Sequence, residues 1–119
     1  MNISSLIDTI KKHPDYEKAG MILCHNGVVR CTSRNGRNVT GLEIQVDYDR
    51  LRQILEKQKK RPGIVEILVE FPEEKKLAIG DDVMLLVVAG DIRDNVIAVL
   101  SDTLNEIKTN VTHKTEFFI

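Results

Sequence analysis

Ile3, Leu6, Ile7 and Ile10 recur at the spacing of one helical face, and Lys11-Lys12 close that stretch before Pro14. The spacing predicts a short amphipathic helix, and the two cations suit its negative C-terminal end. Met21–His25 and Val28–Thr32 read as strand, interrupted at Asn26-Gly27 by a hairpin turn or a bulge. Ser33–Asn38 is a polar loop, and Val39–Val46 alternates as a further strand. Asp47 stands where it can cap a helix whose apolar face is Leu51, Ile54 and Leu55. The later half of that helix, Lys57–Arg61, is basic and reads as a solvated face, and Pro62-Gly63 ends it.

Ile64–Phe71 reads as strand with carboxylates at Glu66 and Glu70, and Pro72–Lys76 as a charged turn. Val83–Ala89 is the most apolar segment, which predicts a central strand buried on both faces. A long helix follows from Arg93 to Lys108, capped by Asp91 or Asp94, with Val96, Ile97, Leu100, Leu104 and Ile107 as its buried stripe. Lys114-Thr-Glu116-Phe-Phe118 then reads as a terminal strand. The order of elements predicts one α+β domain over residues 1–119, with helices packed on a mixed, mostly antiparallel sheet.

At 119 residues the chain is large enough for one modest core. A formal net charge of −1 argues against nonspecific nucleic-acid binding, which needs a basic surface. Aromatic residues make up 4% and tryptophan is absent, which speaks against a base-stacking platform. Any cationic site must therefore be local, assembled by folding. Cys24 and Cys31 read as small, buried or half-buried free thiols: no secretory segment precedes them, and two cysteines alone cannot complete a zinc site. No run reaches the roughly 20 apolar residues of a membrane span, and the expected location is the cytoplasm.

The chemistry concentrates near the C-terminus. Arg93 opens the last helix, where a cation is electrostatically disfavoured unless an anion joins it. Lys108 closes that helix and Lys114 follows a short crossing, so folding is expected to bring three cations to one phosphorylated or carboxylated ligand. Each has an ordinary reading as well. Arg93 can pair with Asp91 or Asp94, Lys108 can offset the helix dipole, and Lys114 can sit on an exposed strand. Arg30 at a strand end offers a second guanidinium fork, Glu116 a carboxylate to orient Lys114 by a hydrogen bond, and His113 a proton carrier near neutrality. His13 and His25 have no partners at ligand spacing. There is no Gly-rich phosphate loop, nucleophile elbow or metal motif.

The order and spacing of these pieces resemble the large, catalytic subunit of molybdopterin synthase. Gly27-Val-Val-Arg30 is similar to the family's first motif, Leu42-Glu-Ile-Gln-Val to the following strand, and Tyr48–Arg61 to the helix after it. Leu77-Ala-Ile-Gly80-Asp-Asp resembles the turn into the penultimate strand, and the Arg93–Lys108 interval matches without a gap. The sequence departs from the family at Ile92, where histidine is usual, and at His113, where an aromatic is usual. The crossing Lys108–Lys114 is also one residue shorter and lacks a proline, and the residues after Phe118 fall short of the family's C-terminal tail. The resemblance implies an α/β-hammerhead-like fold and a homodimer. It also implies a ubiquitin-like small subunit ending in a Gly-Gly thiocarboxylate, which passes sulfur to a cyclic pyranopterin monophosphate to form a dithiolene. Lys108 would handle the acyl end of the partner, with Lys114 as second site lysine and Arg30, Arg93, Glu116 and His113 around the substrate. No cofactor or metal would be needed, because sulfur arrives on the partner's tail. The departures leave a second reading open: the same fold kept as a pterin- or anion-binding regulatory module without sulfur transfer.

Overall fold

Val83–Gly90 has no exposed residue, and its burial organises everything around it. The computed structural model describes all residues, Met1–Ile119. Strand β5 (Asp82–Gly90) pairs antiparallel with β1 (Met21–Val28) on one side and β3 (Ile64–Glu70) on the other. Because alternate side chains leave opposite faces of a strand, each face needs its own cover. Leu86 and Val88 pack with Val96 and Val99 of helix α3 (Arg93–Asn110), and Val87 and Ala89 pack with Ile10 of helix α1 (Ile3–Lys11). Each fully buried aliphatic side chain contributes about 1.5–3 kcal/mol relative to exposure, so this sandwich dominates the fold.

A second antiparallel sheet has β2 (Val39–Val46) at its centre, flanked by β4 (Lys76–Ala78) and β6 (Thr112–Phe118). The largest apolar cluster joins the two sheets: Leu42 and Ile44 of β2, Val83 and Met84 of β5, and Leu51 and Ile54 of helix α2 (Tyr48–Lys59), closed by Ile107 of α3. The expected α+β architecture holds, with antiparallel pairing throughout.

Several local expectations change. Of the two readings of Asn26-Gly27, the hairpin fails and the bulge holds: β1 runs on to Val28 beside β5, with a bulge-like register shift between Gly27 and Val28. Seven successive pairings with β5 outweigh a local turn preference, and the irregularity turns the chain away. Val29 is then buried, its N–H bonded to Asp81 O and its carbonyl accepting from Gly80 N, each at 2.9 Å, and Arg30 leaves the strand pointing elsewhere than the core. Val28–Thr32 is therefore not a second strand. Cys24 and Cys31 are free and exposed rather than half-buried.

Asp47 caps α2 as expected, its Oδ1 accepting from Arg50 N at 3.1 Å. Neither Asp91 nor Asp94 caps α3. The N-cap is Ile92, and Asp91 Oδ1 accepts from Asn95 Nδ2 at 2.9 Å and Ile92 N at 2.6 Å. Those two bonds, Asn95 first, hold the Asp91 carboxyl below its ordinary pKa. On α3 the buried positions are Val96, Val99, Thr103 and Ile107, while Ile97, one residue out of phase, is 47% exposed.

The basic run of α2 is a seam rather than a solvated face. Lys57 Nζ donates to Glu106 at 2.7 Å, Gln58 Nε2 to the same carboxylate at 2.9 Å, and Arg61 pairs with Asp102, all three bridging α2 to α3. Lys59 reaches Glu66 on β3 at 2.9 Å. Exposed pairs of this kind contribute at most about 1 kcal/mol each, so they orient α3 more than they stabilise it.

Gly63 sits at φ +79 in the turn after α2, and a Cβ there would overlap the Asp91 carboxylate. Gly63→Ala is expected to lower stability by at least the roughly 1–2 kcal/mol of a left-handed non-glycine residue, read as a drop in the urea midpoint. An unchanged midpoint would show that the turn relaxes freely.

Candidate functional site

The last turn of α3 carries Lys108, and buried Val111 takes the chain straight into β6. Alternation along β6 puts Thr112, Lys114, Glu116 and Phe118 on one face and His113, Thr115 and Phe117 on the other. In the β2–β6 register Lys114 lies opposite Ile44 and Glu116 opposite Leu42. Opposed residues share a face, so the Lys114 stem runs beside buried aliphatic side chains while its ammonium faces an opening. Across that opening stand Arg30, leaving the end of β1, and the Cys31–Asn38 loop.

The opening is a groove of about 930 Å³. Its charged lining is Arg30, Arg34, Lys108, Lys114 and Glu116, with Ser33, Asn35, Thr112 and Phe118 among its other walls. Four cations face one carboxylate in a protein whose net charge is −1. None of the five makes an ion pair. Arg30 spends its Nε on Thr32 O at 2.8 Å, which fixes the side chain and leaves the two Nη groups for another acceptor. Unpaired cations held together in a concavity repel one another, and an anionic ligand relieves that repulsion.

The crowding acts on titration. Burial against the groove walls pushes the Lys114 ammonium below its ordinary pKa, Lys108 and Arg34 add to the shift, and Glu116 opposes it. His25, on β1, is also shifted down, by burial and then by the charges of Lys108 and Lys114. The depressed amine is thus that of Lys114.

Not every expected residue reaches the groove. Arg30, Lys108, Lys114 and Glu116 do. Glu116 makes no hydrogen bond to Lys114 and acts on it through its field alone. His113 lies on the opposite face of β6. Arg93 opens α3, and at about 1.5 Å per residue it stands roughly 22 Å from Lys108 along the helix axis. It is exposed and pairs with neither Asp91 nor Asp94. Within one chain the three expected cations do not meet.

The sequence assigned no role to the groove residue Arg34, or to His25, which feels the groove's lysines without lining it. Arg34 sat in a polar loop with no regular spacing to mark it. His25 had a signal: it shares the inward phase of Met21 and Leu23, the residues that pack on the α3 side of β1.

Two antiparallel sheets joined by one apolar cluster, with a cation-lined groove where the last helix meets an edge strand, define an α/β-hammerhead-like domain. The sequence profile of one family, described as MoaE protein, matches residues 2–110, and the chain belongs to that family, which serves molybdenum cofactor biosynthesis. Arg30, Arg93 and Lys108 lie inside the matched span, while Lys114 and Glu116 lie beyond it. Among solved structures the chain is similar to molybdopterin synthase from Staphylococcus aureus, at 23% identity and a TM-score of 0.73 over 87% of this chain and 77% of that one. It is similar to molybdopterin cofactor biosynthesis protein E from Burkholderia multivorans, at 20% identity and a TM-score of 0.77 over 100% and 84% of the two chains. A third likeness is to the complex of subunits 1 and 2 of the molybdopterin-converting factor from Helicobacter pylori, at 18% identity and a TM-score of 0.71 over 99% and 84%. No individually curated protein matches the chain. No helix is long and apolar enough to cross a membrane.

The lysine has a cost that pH exposes. A lowered native pKa means that the unfolded chain binds more protons between that value and the ordinary 10.5, so stability rises with pH through this window. At pH 7 the charged Lys114 is fully penalised. Lys114→Met is expected to raise the denaturant midpoint at pH 7, with the gain shrinking as pH climbs toward 10.5. A gain that does not change with pH would assign the effect to packing instead.

Proposed function

We propose that this chain acts as a molybdopterin synthase large subunit. It would pass sulfur from the thiocarboxylated Gly-Gly tail of a ubiquitin-like small subunit to a cyclic pyranopterin monophosphate. The observation that carries this reading is the groove of four unpaired cations in a MoaE-family fold. Such a groove suits a substrate with a phosphate and a partner with an anionic tail. The Helicobacter pylori complex of two subunits supports a small partner of this kind.

In this reading the thiocarboxylate sulfur bonds to a substrate carbon and an oxygen substituent leaves that carbon with a proton. The acyl carbon–sulfur bond then breaks under attack by an amine or by water, which leaves the tail as an amide or a carboxylate. Lys108 handles the acyl group. Lys114, whose charged form the site disfavours, is the amine best suited to take up or give back a proton nearby. Positioning and charge neutralisation supply most of the acceleration.

Reconstitution with thiocarboxylated small subunit and pterin precursor tests the assignment through dithiolene formation. Lys108→Ala should cost less than about 1 kcal/mol of stability yet abolish nearly all turnover. Lys108→Arg should keep binding the small subunit without turning over, because arginine stays protonated. Lys114→Ala should be impaired less severely. Wild-type-like turnover in Lys108→Arg would remove the nucleophile role and leave electrostatics alone.

Arg93 joins the same chemistry only if a second chain brings it. A homodimer in which Arg93 of one protomer faces the groove of the other reconciles the expected three-cation site with the roughly 22 Å separation along α3. Inactive Arg93→Ala and Lys108→Ala proteins, mixed and allowed to exchange subunits, should then regain up to about a quarter of the sites, since one groove in each mixed dimer is intact. A monomeric mass by light scattering, or a mixture as inactive as its parts, would overturn shared sites.

A second reading has its own support. Ile92, 56% exposed at the helix opening, replaces the family's usual histidine with a side chain that neither charges nor hydrogen-bonds. A module that binds the pterin or another anion without transferring sulfur predicts ligand binding with no turnover in the same assay.

A further inference from the structure

We infer that Arg34 is a ligand-binding residue of the groove, forming with Arg30 a two-guanidinium wall that holds the phosphate group of a phosphorylated ligand and leaves the Lys108–Lys114 side to the reacting end. The inference rests on the reading of the groove as an anion site given above.

Three observations carry it. Arg34 lines the groove and makes neither an ion pair nor a hydrogen bond with any protein group, so all its donors are free for a ligand. Its charge reaches Lys114, which places it on the same side of the electrostatics as the amines. The loop that carries it is also built to hold a shape. Arg34 follows Ser33, which is 7% exposed, in a turn closed by Gly36 N to Ser33 O at 3.0 Å. Ser33 Oγ is bonded to Asn35 and accepts from Arg37 N at 3.1 Å. The Arg37 guanidinium lies 3.8 Å from the centroid of the Phe118 ring, fastening the loop to β6, the strand that carries Lys114.

The side-chain types divide the labour. A guanidinium fork matches two phosphate oxygens and stays charged at any working pH, whereas an ammonium can lose its proton and react. The arginines come from the β1 end and its loop, and the lysines from the α3 end and β6, so the two kinds reach the groove from different elements.

Inorganic phosphate is the probe, titrated calorimetrically at low ionic strength into the wild-type protein, Arg34→Ala, Arg34→Lys and Arg30→Ala. Arg34 is exposed, so its variants should fold as the parent does. Arg34→Ala should weaken phosphate about tenfold or more, and Arg34→Lys should recover only part of that, since charge without the fork is incomplete. A second readout separates ligand contact from loop structure: the pKa of Lys114, followed by NMR of its side chain. It should rise in Arg34→Ala, where a neighbouring charge is gone, and stay low in Arg34→Lys. Wild-type affinity in Arg34→Ala together with loss in Arg30→Ala would overturn the role of Arg34 and leave the anion site standing. No phosphate binding by the wild-type protein would overturn both.

Discussion

The burial of β5 on both faces is the constraint from which the rest of this molecule follows. A strand with no polar side chain from Val83 to Ala89 cannot stand at an edge or leave one face wet. It needs strand partners on both sides and a helix on each face, and it obtains them from β1, β3, α1 and α3. Once α3 is docked there, its far end has only one place to be: beside β2, where the chain reverses at Val111 into β6. The groove is a consequence. Lys108 comes from the helix that covers β5, Lys114 from the strand that follows, and Arg30 from the irregular end of the strand that pairs with β5.

The groove works against the stability of the domain that builds it. Four cations without counterions raise the electrostatic energy of the empty protein, and their charges add to the burial that lowers the pKa values of Lys114 and His25. Lys114, which a stability argument would replace, is one of the residues that make the surface attractive to an anion. On the α2–α3 and α2–β3 seams, by contrast, Lys57, Lys59 and Arg61 all find carboxylates. Proteins sit close to the threshold of stability, so cations gathered without counterions in one concavity are a cost to folding that an anionic ligand would offset.

Much of this was legible in the sequence, and the failures have physical causes. The α3 helix, β5, the Asp47 cap and the edge strand with Lys114 follow from periodicity and local bonding alone. At Asn26-Gly27 the structure follows the bulge reading and not the hairpin, because pairing with the distant β5 is a tertiary gain that overrides a two-residue turn preference. Lys57–Arg61 appeared solvated because its carboxylate partners lie on α3 and β3, distant in sequence. Arg93 and Lys108 stood out for the right reason, as cations at helix ends. Their common helix nevertheless keeps them about 22 Å apart, a distance its length already contained. Arg34 was invisible, since a loop residue's place depends on how the loop folds back.

The central claim is that an anion binds between the loop after β1 and the start of β6. A ¹H–¹⁵N NMR titration of the uniformly labelled protein with inorganic phosphate measures this residue by residue. The account predicts that shift changes cluster at Arg30–Asn35 and at Lys108–Glu116, with His25 responding as the nearby cations are neutralised. Shifts centred on the opening turn of α3 at Ile92–Asn95 alone, or no saturable shift anywhere, would contradict it.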